Sequence, residues 1–347
     1  MGRFPRLSRR QPTPHSFDSH PGWALHNTAS LPHVTLGGAT ATGTHGSGDQ
    51  LGTLSSAVAG LELVTATGDL ISAQRGDLDF DGMVVNLGAL GVVTRVALDI
   101  QPTFDMRQDA FEGLAWDTLT GDFDAVMSAG YSVSLLTKWA TPTVTRLWVK
   151  SRLDDASTVP MARLDVSLAA SPSADLKPDG IAALNEWGKP GPWSERLPHF
   201  RPGVDPGTVG HLQSEYMLPR SRAIEAIRLL RVMGPRIDPF LLTTEIRSMA
   251  QDSLWLSPAH GRDTIGIHFS WARDLEAVPR ISAEVEPMLS PLGARPHWGK
   301  IIHARARELA PLYPRLEDFR ALARRFDPGG KFRNAFLDAH VFGEAPD

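Results

Sequence analysis

Three short segments carry ionisable side chains at spacings that would gather them on strand faces. In LLTTEIR, Glu245 and Arg247 stand two residues apart, so an extended strand projects both from one face and turns Ile246 to the other. In IGIHFSW, Ile265, Ile267, Phe269 and Trp271 alternate with Gly266, His268 and Ser270, the pattern of a strand with one buried face. In HWGKII, Lys300 sits on a short apolar, strand-like piece after Pro296. If the three pieces adjoin in one sheet, Glu245, Arg247, His268, Ser270 and Lys300 share a polar surface. Each residue also has a structural explanation: an ion pair for Glu245 and Arg247, a satisfied histidine, a solvated lysine. Spacing alone does not make the strands neighbours, so the residues by themselves reach a polyol- or acid-binding face and no further.

A second candidate is backbone. LGGATATGTHGSG, from Leu36 to Gly48, holds five glycines in thirteen residues, interleaved with Thr, Ser and Ala. Backbone so bare can approach an anion and cradle a pyrophosphate with its N–H groups; a flexible loop is the plain alternative. No G-x-G-x-x-G aligns within it and no G-K-[ST] occurs there, so neither a Rossmann site nor a P-loop is expected. His45 stands where a nucleophile elbow at Ser47 would need glycine. The stretch Asp77-Leu78-Asp79-Phe80-Asp81-Gly82 matches half an EF-hand loop, but its twelfth position is Gly88 rather than Glu. It reads as an acidic turn, and no metal site is expected.

These groups must be positioned by the surrounding elements. LELVTATGDLISA, Leu61 to Ala73, reads as a hairpin around Thr67-Gly68-Asp69. In GVVTRVALDI, Val92, Thr94, Val96, Leu98 and Ile100 fall on one strand face, and Gln101-Pro102 ends the strand. Ile224, Ile227 and Leu230 mark a helix over Ser221 to Met233, stopped by Gly234-Pro235. A second helix spans Leu275 to Leu289 with Pro279 in its first turn, and a third spans Leu316 to Phe326 before Asp327-Pro328-Gly329-Gly330. Pro190 to Gly203 reads as loop. Strands and helices are segregated rather than alternating, which favours an α+β fold.

Composition narrows the function classes. The chain has 347 residues, 42% hydrophobic and 21% charged, with a formal net charge of −4, so it can bury a sizeable core and offers no basic surface for nucleic acid. It has no cysteine, which excludes disulfides, thiolate nucleophiles and Cys-ligated metals and fits a cytoplasmic location. No apolar run approaches the roughly 18 residues a membrane span needs. Arg9-Arg10 is followed by QPTPHSFDSH rather than an apolar stretch, so residues 1–22 read as disordered, without an export signal.

Taken together, ASLPHVTLGGATATGTHGSG, LGALGVVT, SEYMLPR, EIR, IHFSW, RPHWGK and DPGGKFRNAF, in that order, resemble the bacterial alditol (xylitol, sorbitol) oxidases. These are relatives of the L-gulonolactone and D-arabinonolactone oxidases in the vanillyl-alcohol oxidase superfamily. The resemblance runs from about Trp23 to Phe342. It implies a partial PCMH-type FAD-binding domain over residues 23–104, a mixed α/β substrate (cap) domain built on an antiparallel sheet over 105–304, and a C-terminal return to the FAD domain over 305–347. By resemblance, Ala29, Ser30, Thr35, Gly38, Ala39, Thr40, Ala41, Gly43, His45, Gly46 and Val92 contact FAD, and Ala29 lies beside the reactive edge of the flavin, where its size affects oxygen access. Ser30, Glu245, Arg247, Ser270 and Lys300 form the substrate group, with catalysis assigned to Arg247, Lys300, His268 and Glu245. Threonine is more usual in the family at Ser270. The implied reaction oxidises a terminal hydroxyl of a sugar alcohol with O₂ as acceptor, giving H₂O₂; an aldonolactone substrate is the alternative. The family's chains begin with a further segment ending in a G-x-G-H-S loop, which carries the histidine linked to FAD. Here MGRFPRLSRRQPTPHSFDSH stands in that place, so the expectation is an N-terminally truncated cofactor domain without covalent FAD, and a remnant without flavin is a further alternative. The sequence leaves the oligomeric state open.

Overall fold

Period-two alternation builds two small antiparallel sheets and one large one. The computed structural model of the chain describes residues 22–32, 34–155, 161–172, 183–201 and 212–343; the disorder expected over residues 1–22 lies, except for Gly22, outside them. Strands β1 (Trp23–Ala24), β2 (Val58–Val64), β3 (Leu70–Gln74), β4 (Val92–Leu98) and β5 (Gln101–Pro102) form the small sheets, ordered β3-β2-β4 and β1-β5. The expected hairpin is present, with Leu61 opposite Ala73 and Gly68 at φ +92° in the turn. Gln101-Pro102 does more than end a strand, because it pairs with Trp23–Ala24.

The large sheet holds β6 (Asp105–Glu112), β7 (Ser132–Thr137), β8 (Arg146–Arg152), β9 (Ser167–Leu168), β10 (Gly191–Pro192), β11 (Leu212–Pro219), β12 (Leu241–Met249), β13 (Thr264–Trp271) and β14 (Arg295–Pro296). Its order is β10-β6-β8-β7-β12-β13-β11-β14, with β9 against β6 and every pairing antiparallel. One face buries Val133, Leu135, Ile246, Ile265, Ile267 and Phe269 against the helices Ala223–Ile237 and Ala277–Leu289. Both helices carry their apolar residues as a stripe at helical spacing: Ala223, Ile227 and Leu230 on one, Val278, Ile281 and Val285 on the other. The opposite face is polar and meets residues 45–51. Gly48 N donates to Ser248 O at 2.9 Å, Ala250 N to Leu51 O at 2.9 Å, and Ser47 Oγ to Val133 O. A second apolar cluster joins Leu25, Leu63 and Leu90 to Trp255, Trp298, Phe319 and Val341, so the C-terminal segment packs on the N-terminal sheets.

Four expectations are corrected. The helix over Ala223–Ile237 runs through Gly234-Pro235 instead of stopping there. Proline removes one amide donor, a small loss in a final turn, and tertiary contact holds that turn: Asp238 accepts from Trp139 N at 2.9 Å and Ala140 N at 2.7 Å. Pro190–Gly203 is not wholly loop, since Trp193–Arg196 is a short helix whose Trp193 is buried beside Phe104. Lys300 lies past β14 in a turn, its amide donating to His297 O at 3.1 Å, and not on a strand. The glycine-rich stretch opens as a helix, Leu36–Ala41, capped by Thr35. The helix Leu316–Phe326 matches its expected bounds, and Asp327 beyond it accepts from Lys331 N and Phe332 N.

Gly234 is where packing overrides propensity: a Cβ there would stand 2.8 Å from the Trp139 carbonyl carbon and 2.9 Å from Ala140 N. Helix propensity favours Gly234→Ala by about 1 kcal/mol, whereas overpacking typically costs about 1–3 kcal/mol. Urea denaturation of Gly234→Ala should show net destabilisation; a more stable variant would mean that the helix is free to move off Trp139.

Candidate active site

Strand register assembles the site. Glu215 on β11 pairs with His268 on β13, and His268 pairs with Glu245 on β12, so three ionisable residues form one row across adjacent strands. One step along, Gly266 separates Met217 from Arg247. Arg247 and Glu215 stand two strand spacings apart, roughly 9.5 Å, and meet over Gly266: Arg247 Nη2 donates to Glu215 Oε1 at 2.5 Å. A Cβ on Gly266 would lie 3.2 Å from that same oxygen. Glycine inside a strand is a mark of such close approach.

Glu215 is fully buried and binds two cations, Arg247 on one oxygen and Lys300 on the other. Lys300 Nζ also lies 2.7 Å from His268 Nδ1, and His268 Nε2 lies 3.0 Å from Ser270 Oγ. An ammonium only donates, so with Lys300 charged the His268 Nδ1 accepts and its Nε2 carries the hydrogen. Arg247 Nη1 donates to Ser30 Oγ at 3.1 Å, tying the sheet to the Ala29–Ser30 segment. His45 Nε2 lies 3.2 Å from Glu215 Oε1 at an angle that makes no hydrogen bond. Glu245 faces Arg247 across 3.8 Å and is bound at Oε1 by His199 Nε2 at 2.5 Å.

Burial and charge set the protonation states. Burial pushes the Glu215 carboxyl up, but Arg247 and then Lys300 outweigh it and hold it well below the usual carboxylate range. Glu245 is held low in the same way, burial being outweighed by Arg247 and His199. Burial, then Lys300, brings His268 down to about 4, so it is neutral at pH 7. Burial and Arg247 lower Lys300, with Glu215 pulling against them.

Of the residues expected to act on substrate, Ser30, Glu245, Arg247, His268, Ser270 and Lys300 are thus in one connected network. The residues expected to contact FAD stand in different surroundings. Thr35 caps the helix that holds Gly38 and Ala41. Ala29 and His45 border the network, both buried. Ala39 and Thr40 turn into the core, Thr40 Oγ1 donating to Leu36 O at 3.0 Å, and their carbonyls accept from Thr44 N and Ser55 Oγ. Gly43 and Gly46 serve close packing, since a Cβ would meet Pro258 Cδ at 2.7 Å and Asn27 Oδ1 at 2.0 Å. By contrast Gly37 has nothing within 4 Å of its Cβ position, and the Leu36 and Gly37 amides head a helix where no preceding turn accepts them. Val92 is 58% exposed on β4. Thr28 Oγ1, His45 Nε2 and Arg247 Nε are buried without a hydrogen-bond partner, the state expected of groups awaiting a ligand. The residues present therefore fit an anionic, hydrogen-bonding cofactor, which Gly37 and Ser30 would help to hold.

Sequence reading missed Glu215, although its strand was quoted. Its signal was one carboxylate directly before the apolar run Tyr216-Met217-Leu218. It also missed His199, and His297, whose amide donates to Glu215 O at 2.9 Å. His45, Glu215 and His297 offer ligand atoms within 4.8 Å of one another. Arg247 and Lys300 already neutralise the one carboxylate of that trio, so a divalent cation there would meet two positive charges with little to offset them.

Known proteins resemble this chain in sequence and in fold. The family model for D-arabinono-1,4-lactone oxidase matches residues 206–340, and that for an FAD binding domain matches residues 16–74. An alditol oxidase from Streptomyces sp. is 45% identical over 91% of this chain and 75% of its own length. An L-gulono-1,4-lactone dehydrogenase from Mycobacterium tuberculosis is 29% identical over 90% of this chain and 75% of its own length. In fold, the chain matches cholesterol oxidase from Brevibacterium sterolicum with a TM-score of 0.71 at 16% identity, over 91% of this chain and 76% of that one. A row of paired charges on an antiparallel sheet, a bare backbone facing it and this degree of identity lead to one conclusion: the chain belongs to the alditol oxidase family of FAD-linked oxidases.

Proposed function

We propose that the chain oxidises the terminal hydroxyl of a sugar alcohol of the xylitol or sorbitol type, using FAD. The observation that carries the reading is the buried Glu215–Arg247–Lys300–His268 network set against Ser30. FAD would be held along Ala29, Ser30, Thr35 and the backbone of residues 36–46, with Val92 at its margin. When bound, it supplies the hydride acceptor, with O₂ as the terminal oxidant and H₂O₂ as product. The link is noncovalent in this reading. The domain division read from the sequence, 23–104 with 305–347 against 105–304, belongs to the same proposal; one apolar cluster lies wholly within 105–304, while the other joins 23–104 and 305–347 and also takes in Trp193, Trp255 and Trp298.

The side chains have distinct tasks. Glu245 accepts hydrogen bonds from substrate hydroxyls. A substrate oxygen entering between Lys300 and His268 takes the ammonium's hydrogen bond away from Nδ1. The freed Nδ1 then accepts the hydroxyl proton, while Arg247 and Lys300 hold the negative charge developing on oxygen. An aldonolactone substrate is the second reading, favoured by the family model matched over residues 206–340.

Purified chain saturated with FAD should consume O₂ and release H₂O₂ with xylitol or sorbitol, and more slowly with L-gulono-1,4-lactone. A preparation that binds no flavin, or turns over only the lactone, would overturn the proposal. Trichloroacetic acid should release the flavin from the protein. Lys300→Met should slow flavin reduction by xylitol about 10²–10³-fold, the usual effect of losing one electrostatic donor, without loss of bound FAD; stopped-flow absorbance reads both. Gly266→Val should push Arg247 off Glu215 and abolish turnover. His268 must be neutral and sits at about 4, so kcat/KM for xylitol should show no fall as pH drops through 6.5 and should drop only near 4. An acid limb at 6.5 would mean that a solvated histidine does the work.

A further inference from the structure

The substrate face has a support that the reaction itself does not use. Lys150, on β8, is buried at 1% exposure. Its Nζ meets three acceptors: Leu197 O, Pro198 O at 3.1 Å and His199 Nδ1 at 3.1 Å. Those three use all the hydrogens of an ammonium. With Nδ1 accepting, the His199 ring carries its hydrogen on Nε2 and donates it to Glu245 Oε1 at 2.5 Å. The ring is set edge-on to Trp148 at 4.9 Å and 89°, which fixes its plane. The same loop holds Ser30: His199 N and Phe200 N donate to Ser30 O at 3.0 and 3.3 Å. Asn185 closes it from behind, its side chain donating to Arg196 O at 2.7 Å and to Pro198 O.

We propose that Lys150 and His199 are positioning residues that lock Glu245 through Oε1, leaving Oε2 to accept from substrate hydroxyls, while their loop fixes the backbone of Ser30 opposite. The proposal rests on the polyol-oxidase reading. A filler at position 150 would be apolar, because a buried ammonium is costly unless every hydrogen is placed. The charged groups facing His199 are Lys150, Glu245 and Arg247. Burial, against the pull of Glu245, brings Lys150 down to about 7. Below that pH the strap is charged and taut; as pH rises through it, Lys150 loses a proton and the hold on Nδ1 loosens.

The test uses the whole 347-residue chain with FAD. His199→Phe keeps a ring against Trp148 but removes both hydrogen bonds. It should raise KM for xylitol about tenfold or more, as expected for loss of a hydrogen bond to a charged group, and change kcat little. His199→Gln, whose amide can still donate to Glu245, should restore most of that loss. Wild-type KM should rise as pH passes about 7, and Lys150→Met should remove that dependence. Imidazole ¹⁵N spectra give a readout free of turnover: His199 should be neutral with hydrogen on Nε2 at pH 6, and Lys150→Met should redistribute it. An Nδ1–H ring in the wild type, or KM unchanged in both His199→Phe and Lys150→Met, overturns the strap. If the wild type oxidises no polyol, the functional reading fails, and the ¹⁵N spectra still decide the strap.

Discussion

The arrangement depends on the complete burial of the Glu215 carboxylate between Arg247 and Lys300. An ionised carboxylate taken out of water is stable only if its charge is matched and its lone pairs are engaged. Glu215 meets that condition by drawing one cation from β12 and one from the turn after β14 onto its two oxygens. The same pairing leaves both cations partly committed inside the protein and still facing Ser30 and His268. A site that must stabilise an oxyanion needs donors already oriented before the substrate arrives, and a buried counter-ion is a physical way to hold them.

The fold makes this affordable. One face of the large sheet is dry, covered by two helices, and supplies the apolar burial. The other face concentrates the polar groups, and its charges pair across the strands, Glu215 with Arg247 and Lys300 and Glu245 with His199. Gly266 is the opening in that face: its missing side chain lets Arg247 cross β13 to reach Glu215. Behind Glu245, Lys150 and His199 continue the network to β8, so the polar surface is anchored at both ends.

Alternation of residue types made β12 and β13 legible, along with the dry face of each, because period two follows from backbone geometry alone. The bounds of Leu316–Phe326 were legible for a similar reason, since Asp327-Pro328-Gly329-Gly330 cannot continue a helix. The Gly234-Pro235 stop was misread because a breaker's local cost was outweighed by contact with Trp139 and Asp238, residues distant in the chain. Lys300 was assigned to a strand-like piece because HWGKII is apolar, yet its backbone turns back on His297.

What the sequence determined by itself was part of the inventory: the Leu61–Ala73 hairpin, the Val92 strand, the strands around Glu245 and His268, and that Glu245 and Arg247 share one strand face, as His268 and Ser270 do on another. Tertiary structure alone decided that those strands adjoin in the register Glu215–His268–Glu245, that Glu215 rather than Glu245 receives Arg247, and that His199 and Lys150 stand behind Glu245. Side-chain alternation is a local property of the backbone. The pairing of strands and the choice of counter-ion depend on packing between segments up to about two hundred residues apart, as between Ser30 and Arg247, and no local pattern encodes it.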